Sequence, residues 1–202
     1  MSFAPVDYDF GVAANYAFAE NVTCSNDEAR RMYVEAFGHM LNYNHEQAIA
    51  CFTKCTELDP NCAMAWWGIA YCVSSNYNWS PGLGPGYDAI QQAVSLKDDC
   101  TELEQDLIMA LSTRHSKEAR DNANPAALNM GNSPELNQAF AAAMAPLYEK
   151  YKGNLDVTAI YVEALMNLNP WTLWNKDAST GEITPVDDST LLLIEVMEEA
   201  FD

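Results

Sequence analysis

Asn44-His45-Glu46-Gln47-Ala48, the turn Asp59-Pro60 and the stretch Met64-Ala65-Trp66-Trp67-Gly68-Ile69-Ala70 decide the fold. All lie within residues 29–73, which read as one complete helical hairpin, a proline hinge and the first helix of a second hairpin. Asn44 has the chemistry of a helix N-cap, with Gln47 spaced to reach back as in a capping box. Ala48, Phe52 and Cys55 then recur at helical spacing, with Ile49, Cys51 and Leu58 widening the apolar stripe. Asp59-Pro60 closes that helix and is expected to open the next. Asp59 offers a carboxylate to free N–H groups, and Pro60 suits a first-turn position. Trp66, Ile69, Ala70 and Val73 follow at i, i+3, i+4 and i+7. Met32, Ala36 and His39 form the matching face upstream. Helices of this kind bury their apolar faces only against neighbours.

Ala36, Ala48, Phe52 and Pro60, then Trp66 and Ala70, resemble the spaced large, small, aromatic and proline residues of a tetratricopeptide repeat. Glu35, His39 and Cys55 depart from that pattern. The runs Tyr43–Ala48, Asp59–Ala70, Tyr161–Met166 and Pro170–Trp174 resemble a narrower, largely uncharacterised family of such proteins found in bacteria, fungi and algae. Ser74-Ser75 stand where that family has Gly-Pro before an Asn-x-Asn turn. The resemblance implies an all-α, tetratricopeptide-like α-solenoid of antiparallel helix pairs. It also implies further repeats beyond Asp202, so the chain is expected to be a fragment or a short member.

Composition narrows the partners. Ten basic against 29 acidic residues leave a formal charge of −19 over 202 residues. That charge argues against nucleic acid and anionic membranes. It favours a basic protein or peptide surface, or solubility alone. No apolar run approaches the ~18 residues of a membrane span. Met1 to Phe10 lacks the basic and apolar segments of a secretory signal. Six cysteines without paired spacing suggest free thiols and a cytoplasmic setting.

The rest of the chain reads as one helical-repeat domain over 1–202. Residues 1–25 form an arm carrying Phe3, Tyr8, Phe10, Tyr16 and Phe18, and Ser25 or Asn26 caps a helix to about Leu41. Residues 26–75 hold the hairpin and the start of the second repeat. Residues 76–86, with two prolines and three glycines, read as an irregular loop. Within 87–202, helices are expected over Tyr87–Leu96 and Thr101–His115. Another runs from the cap Ser133 to about Tyr151, bent by Pro146, and one spans Asp156–Leu168. Asn122 to Asn132 connects. Asn175 to Thr184 is a turn-rich loop or small hairpin. A last helix starts at Asp188, its face carrying Leu192, Ile194, Val196 and Met197.

Tyr33, Phe37, Met40 and Leu41, facing Met64, Trp67 and Tyr71, form a second apolar face that lines the inner groove of such arrays. An open groove this apolar is unusual on a monomer, so cover by the chain itself, a partner helix or an apolar ligand is expected. Asn76, Asn78 and Trp79, with Trp171 and Trp174, gather amides and indoles. Together with Trp67 and Glu163 they suit a small-ligand pocket, or simply pin loops onto helix ends. His39, His45, Cys51 and Cys55 match no zinc spacing, and both cysteines fall at core positions. His45 is better placed for the helix start or a polar contact across the hairpin. Glu102, Glu104 and Asp106, like Glu195, Glu198 and Glu199, read as solvated helix faces. No catalytic motif occurs. The expectation is a non-catalytic interaction scaffold without cofactor or metal. Two alternatives remain open: a small-ligand or metal-binding protein, conceivably an enzyme, built from the tryptophan-rich loops and His45, and a structural subunit of a larger assembly.

Overall fold

Asn26 starts the first long helix by accepting the Ala29 N–H at 2.8 Å, with Asp27 and Glu28 against the positive end of the helix dipole. The computed structural model describes residue 19 and residues 21–78, 84–121 and 134–201. The expected N-terminal aromatics, the cap Ser133, Trp79 and the connector Asn122 to Asn132 lie outside these. Helix α1 (Asp27–Leu41) ends at Asn42. There Tyr43 N–H donates to Met40 O and Asn44 N–H to His39 O. These are the two bonds of a Schellman turn, and Tyr43 takes its left-handed position at φ 61°.

That tight turn corrects the next expectation. Helix α2 (His45–Leu58) follows Asn44, but the Asn44 side chain makes no capping bond. Its backbone sits at φ −86°, ψ 58°, away from the extended geometry that lets an N-cap side chain reach back. Gln47 turns forward instead, its Nε2 3.9 Å from Cys51 Sγ. Helix α3 (Ala63–Cys72) begins later than the Asp59-Pro60 expectation. Asp59 accepts the Asn61 N–H, so it shapes the turn rather than capping a helix at Pro60. Trp66 Nε1–H donates to Pro60 O at 3.0 Å, tying the turn to α3.

Trp66, Ile69 and Val73, expected as the packing face of α3, are only half-buried, and Ala70 alone of that stripe is fully covered. Met64, Trp67, Gly68 and Tyr71 carry the core. Phe52 of α2 packs on Gly68, where an added Cβ would meet the ring at 2.4 Å. Helix α4 (Gly84–Leu96) starts inside the segment read as an irregular loop. Proline in a first turn gives up no hydrogen bond. Gly86 is required for packing, since a Cβ there would lie 2.3 Å from the His115 ring. A 3-10 turn (Lys97–Asp99) leads to α5 (Glu102–Ser112), opened by a complete Thr101/Glu104 capping box. Helix α6 (Lys117–Asp121) follows. Successive helices α1 to α5 pack each on the next, and α1 also meets α3, as α3 meets α5.

Residues 1–202, read from sequence as one domain, divide into two compact units. The elements above form the first, with described residues up to Ser74 and 84–121. The second holds described residues 75–78 and 134–201. It contains α7 (Pro134–Lys150), which continues through Pro146, and α8 (Leu155–Met166). Asn154 rather than Asp156 marks the start of α8, its Oδ1 accepting the Asp156 and Val157 N–H groups. Buried Asn137 donates to Asn167 O at 3.1 Å, fastening α7 to the end of α8.

Strands β1 (Trp174–Lys176) and β2 (Ile183–Pro185) pair antiparallel, Trp174 opposite Pro185. This is the small hairpin foreseen in that loop. Helix α9 (Asp188–Phe201) packs on α8, and Tyr148 O–H donates to Glu199 at 2.7 Å. Its buried positions are Thr190, Leu193 and Val196. Leu192 and Met197, assigned inward from sequence, are exposed instead. The described residues are therefore mostly helical, with one two-stranded sheet. No described helix is long and apolar enough to cross a membrane.

Candidate functional site

The most concentrated chemistry in the first unit is sulfur. Cys24 precedes α1, Cys55 lies in the last turn of α2, and Cys62 occupies the N-cap position of α3. Their sulfur atoms all fall within 4.8 Å of one another, with Cys24 and Cys62 Sγ 2.9 Å apart. Cys55 and Cys62 are fully buried, whereas Cys24 is half-exposed.

Cys24 is held from both sides. The preceding residue, Thr23, donates its N–H and hydroxyl to the two oxygens of Glu104, each at 2.7 Å. The following residue, Ser25, donates its N–H to Asp59 at 2.6 Å. Arg30 donates to Cys24 O at 3.2 Å. A loop residue is thereby fixed by charge-assisted bonds to two helix-bearing segments. Hydrogen bonds from the Cys55 and Cys62 thiols pull the Cys24 pKa down to about 4, outweighing burial and the nearby Asp59 carboxylate. The same bonds, reinforced by burial, hold the Cys62 thiol far above its ordinary value, and the bond to Cys24 does so for Cys55. The cluster thus concentrates its negative charge on its most accessible sulfur. Tyr33, fully buried, has its hydroxyl pushed well up by burial and then by the charges of these cysteines and Glu104.

Glu104 itself corrects an expectation. It was grouped with Glu102 and Asp106 on a solvated face, yet it is 1% exposed. Beyond Thr23 it accepts the N–H and hydroxyl of Thr101, both at 2.8 Å. A buried carboxylate persists only where its acceptor capacity is met, and here four donors meet it.

The residues expected to line an inner groove are core. Tyr33, Phe37, Met40, Met64, Trp67 and Tyr71 are all buried. Trp67 stacks on Tyr71 and donates its indole N–H to Leu107 O of α5 at 3.1 Å. Tyr33 stacks with Phe37 and tilts against Phe52. These six therefore offer no open groove, and Trp67 cannot serve as the wall of a loop pocket. Within the second unit, Tyr77 and Trp171 do meet, ring centroids 5.3 Å apart. Asn76 is buried and accepts the Asn78 N–H, and Asn78 is exposed. Trp171 and Trp174 remain exposed, so the described amides and indoles form no enclosed cup.

His45 makes a polar contact, but with α3 beyond the Asp59-Pro60 turn and not across the first hairpin, its Nδ1 3.2 Å from Cys72 O. Cys51 is core, and His39 and His45 lie outside the sulfur cluster. Among the described residues a serine meets a histidine at Ser74 Oγ and His115 Nε2, 3.0 Å apart. Ser74 spends its own proton on Ala70 O at 2.8 Å, so its oxygen accepts from the ring. Both residues are buried, and the pair lacks the proton flow of an activated nucleophile.

Sequence reading missed the cluster because its members are 38 residues apart at the extremes and follow no metal spacing. A signal was present: Cys55 and Cys62 flank the Asp59-Pro60 turn, and a helical hairpin must bring those flanks together. No family model, curated protein or solved structure matches this chain.

Proposed function

We propose that the protein is a non-catalytic interaction scaffold of tetratricopeptide-like helix pairs in the cytoplasm. Its docking surface is the outer face of α9, and its occupant is a basic amphipathic helix of a partner protein. The observation that carries this reading is the apolar stripe left open on α9. Ile194, Met197 and Phe201 follow at i, i+3 and i+7, Ile194 half-buried, Met197 exposed and Phe201 85% exposed, with Leu191 beside them. Helical packing favours a second helix on such a stripe. Exposed Glu195 and Glu198 border it, and the formal charge of −19 selects a partner with Lys or Arg at its rim. Helices α1 to α5 pack each on the next, the arrangement that an array of helix pairs would use.

The test uses a synthetic Leu/Lys peptide helix as probe, beside a composition-matched scrambled peptide, in calorimetric titrations. Binding is expected to fall at least about tenfold between about 0.05 and 0.5 M salt. It should fall by a similar factor in the Met197→Glu/Phe201→Glu double variant. Equal affinity for the scrambled peptide, or an unaffected double variant, would reject the α9 surface. Dimers by light scattering that the double variant abolishes would show the face occupied by a second copy and overturn the partner-helix reading.

A further inference from the structure

The segment before α1, the end of α2 and the beginning of α3 meet at three sulfur atoms. We propose that Cys24, Cys55 and Cys62 bind one thiophilic d10 cation, copper(I), as a three-coordinate clamp on the first helical hairpin. This is independent of the scaffold reading, since α9 plays no part in it.

Geometry favours an ion over the alternatives. A cation about 2.3 Å from each of three sulfurs needs them roughly 3.8–4.0 Å apart. The trio lies within 4.8 Å throughout, and the 2.9 Å approach of half-exposed Cys24 to Cys62 has to open to admit the ion. A disulfide would use two of the sulfurs and leave the third unexplained. Cys24 is held in place by its neighbours' bonds to Glu104 and Asp59, so little ordering remains when an ion enters. Its partial exposure supplies the entry path.

The donor set selects the ion. Three thiolates with no histidine or carboxylate among the described members of the cluster suit a soft, three-coordinate cation. Zinc(II) prefers four ligands, and among the described residues no fourth His, Cys, Asp or Glu joins the three sulfurs. On binding, each cysteine that is still a thiol releases its S–H proton to solvent as its metal–sulfur bond forms. No electron is transferred.

The experiment titrates the reduced, full-length protein anaerobically with copper(I) against a competing chelator, and separately with zinc(II). It reads near-ultraviolet sulfur-to-copper charge transfer, native mass and thermal midpoint. One equivalent of copper(I) is expected, with a raised midpoint because three elements are joined only in the folded state. Cys24→Ser and Cys62→Ser should each weaken binding at least about 100-fold, as losing a ligand exceeds losing a supporting contact. Cys100→Ser, outside the cluster, should bind as the parent does. Cys24 is half-exposed, so its serine variant keeps the test valid if the buried Cys62 variant fails to fold. Substoichiometric uptake, or undiminished binding in Cys24→Ser, overturns the proposal. Uptake of zinc(II) but not copper(I) overturns the choice of ion. A Cys24–Cys62 disulfide that forms while no metal is taken up does the same to the site as a whole.

Discussion

Phe52 lies flat where a side chain on Gly68 would stand: an added Cβ would come within 2.4–2.5 Å of three ring atoms. Behind the ring stands Tyr33, centroids 5.5 Å away, and both rings are fully buried. Retreat is blocked, so the fit depends on the absence of one methyl group.

Gly68→Ala should therefore destabilise the protein, although alanine is the better helix former. Overpacking a filled core costs about 1–3 kcal/mol, against a propensity gain of about 1 kcal/mol. The difference is a net loss of up to about 2 kcal/mol, read by urea unfolding. Adding Phe52→Leu should recover part of it, and a Gly68→Ala variant as stable as the parent would show the ring free to move.

Glu104→Gln tests the buried carboxylate. The amide nitrogen would point donors at the hydroxyl or N–H donors of Thr23 or Thr101, which now converge on the carboxylate oxygens. Leaving such groups unmet costs about 1–3 kcal/mol. Glu198→Gln, on an exposed helix surface, should change stability by less than about 0.5 kcal/mol. Because Thr23 is the neighbour of Cys24, the first variant should also speed alkylation of Cys24, measured by mass. An unchanged alkylation rate would mean the carboxylate does not position that thiol.

His115 sets a pH dependence. Burial, and secondarily Arg114, lowers its pKa from 6.5 to about 4 in the folded state. In the unfolded chain the ring titrates near its ordinary value of about 6.5. Between those values the unfolded state binds more protons, so the contribution is complete above about pH 6.5. It is lost progressively as pH falls toward about 4. A shift of this size corresponds to about 3 kcal/mol. Stability of the parent measured from pH 7 to 4.5 should fall more steeply than that of His115→Asn. Parallel curves would place the pH dependence elsewhere.

Local chemistry made much of this readable in advance. Asn26 before two acidic residues, and Thr101 three residues before Glu104, announce helix starts because capping is a short-range event. Where a cap failed, at Asn44, the cause was the Schellman turn two residues long, which fixed the backbone before the side chain could act. Periodicity found α3 but chose the wrong face. Its sequence is apolar all round, so no stripe distinguishes Trp66 from Trp67, and only α5, offering Leu107 O to the Trp67 indole, settles which is inside. On α9 the same ambiguity placed Leu192 and Met197 inward. Leu193 and Val196 are the apolar positions that packing covers.

What the chain determined alone is the order of the longer helices and some of their ends, since capping, turn residues and helical spacing act over four residues or fewer. Which apolar face is covered, why Glu104 is buried, and that three distant thiols share one corner belong to the tertiary structure. Those facts depend on contacts between segments dozens of residues apart, and such contacts are fixed by the packing of whole helices, not by the residues adjoining each group.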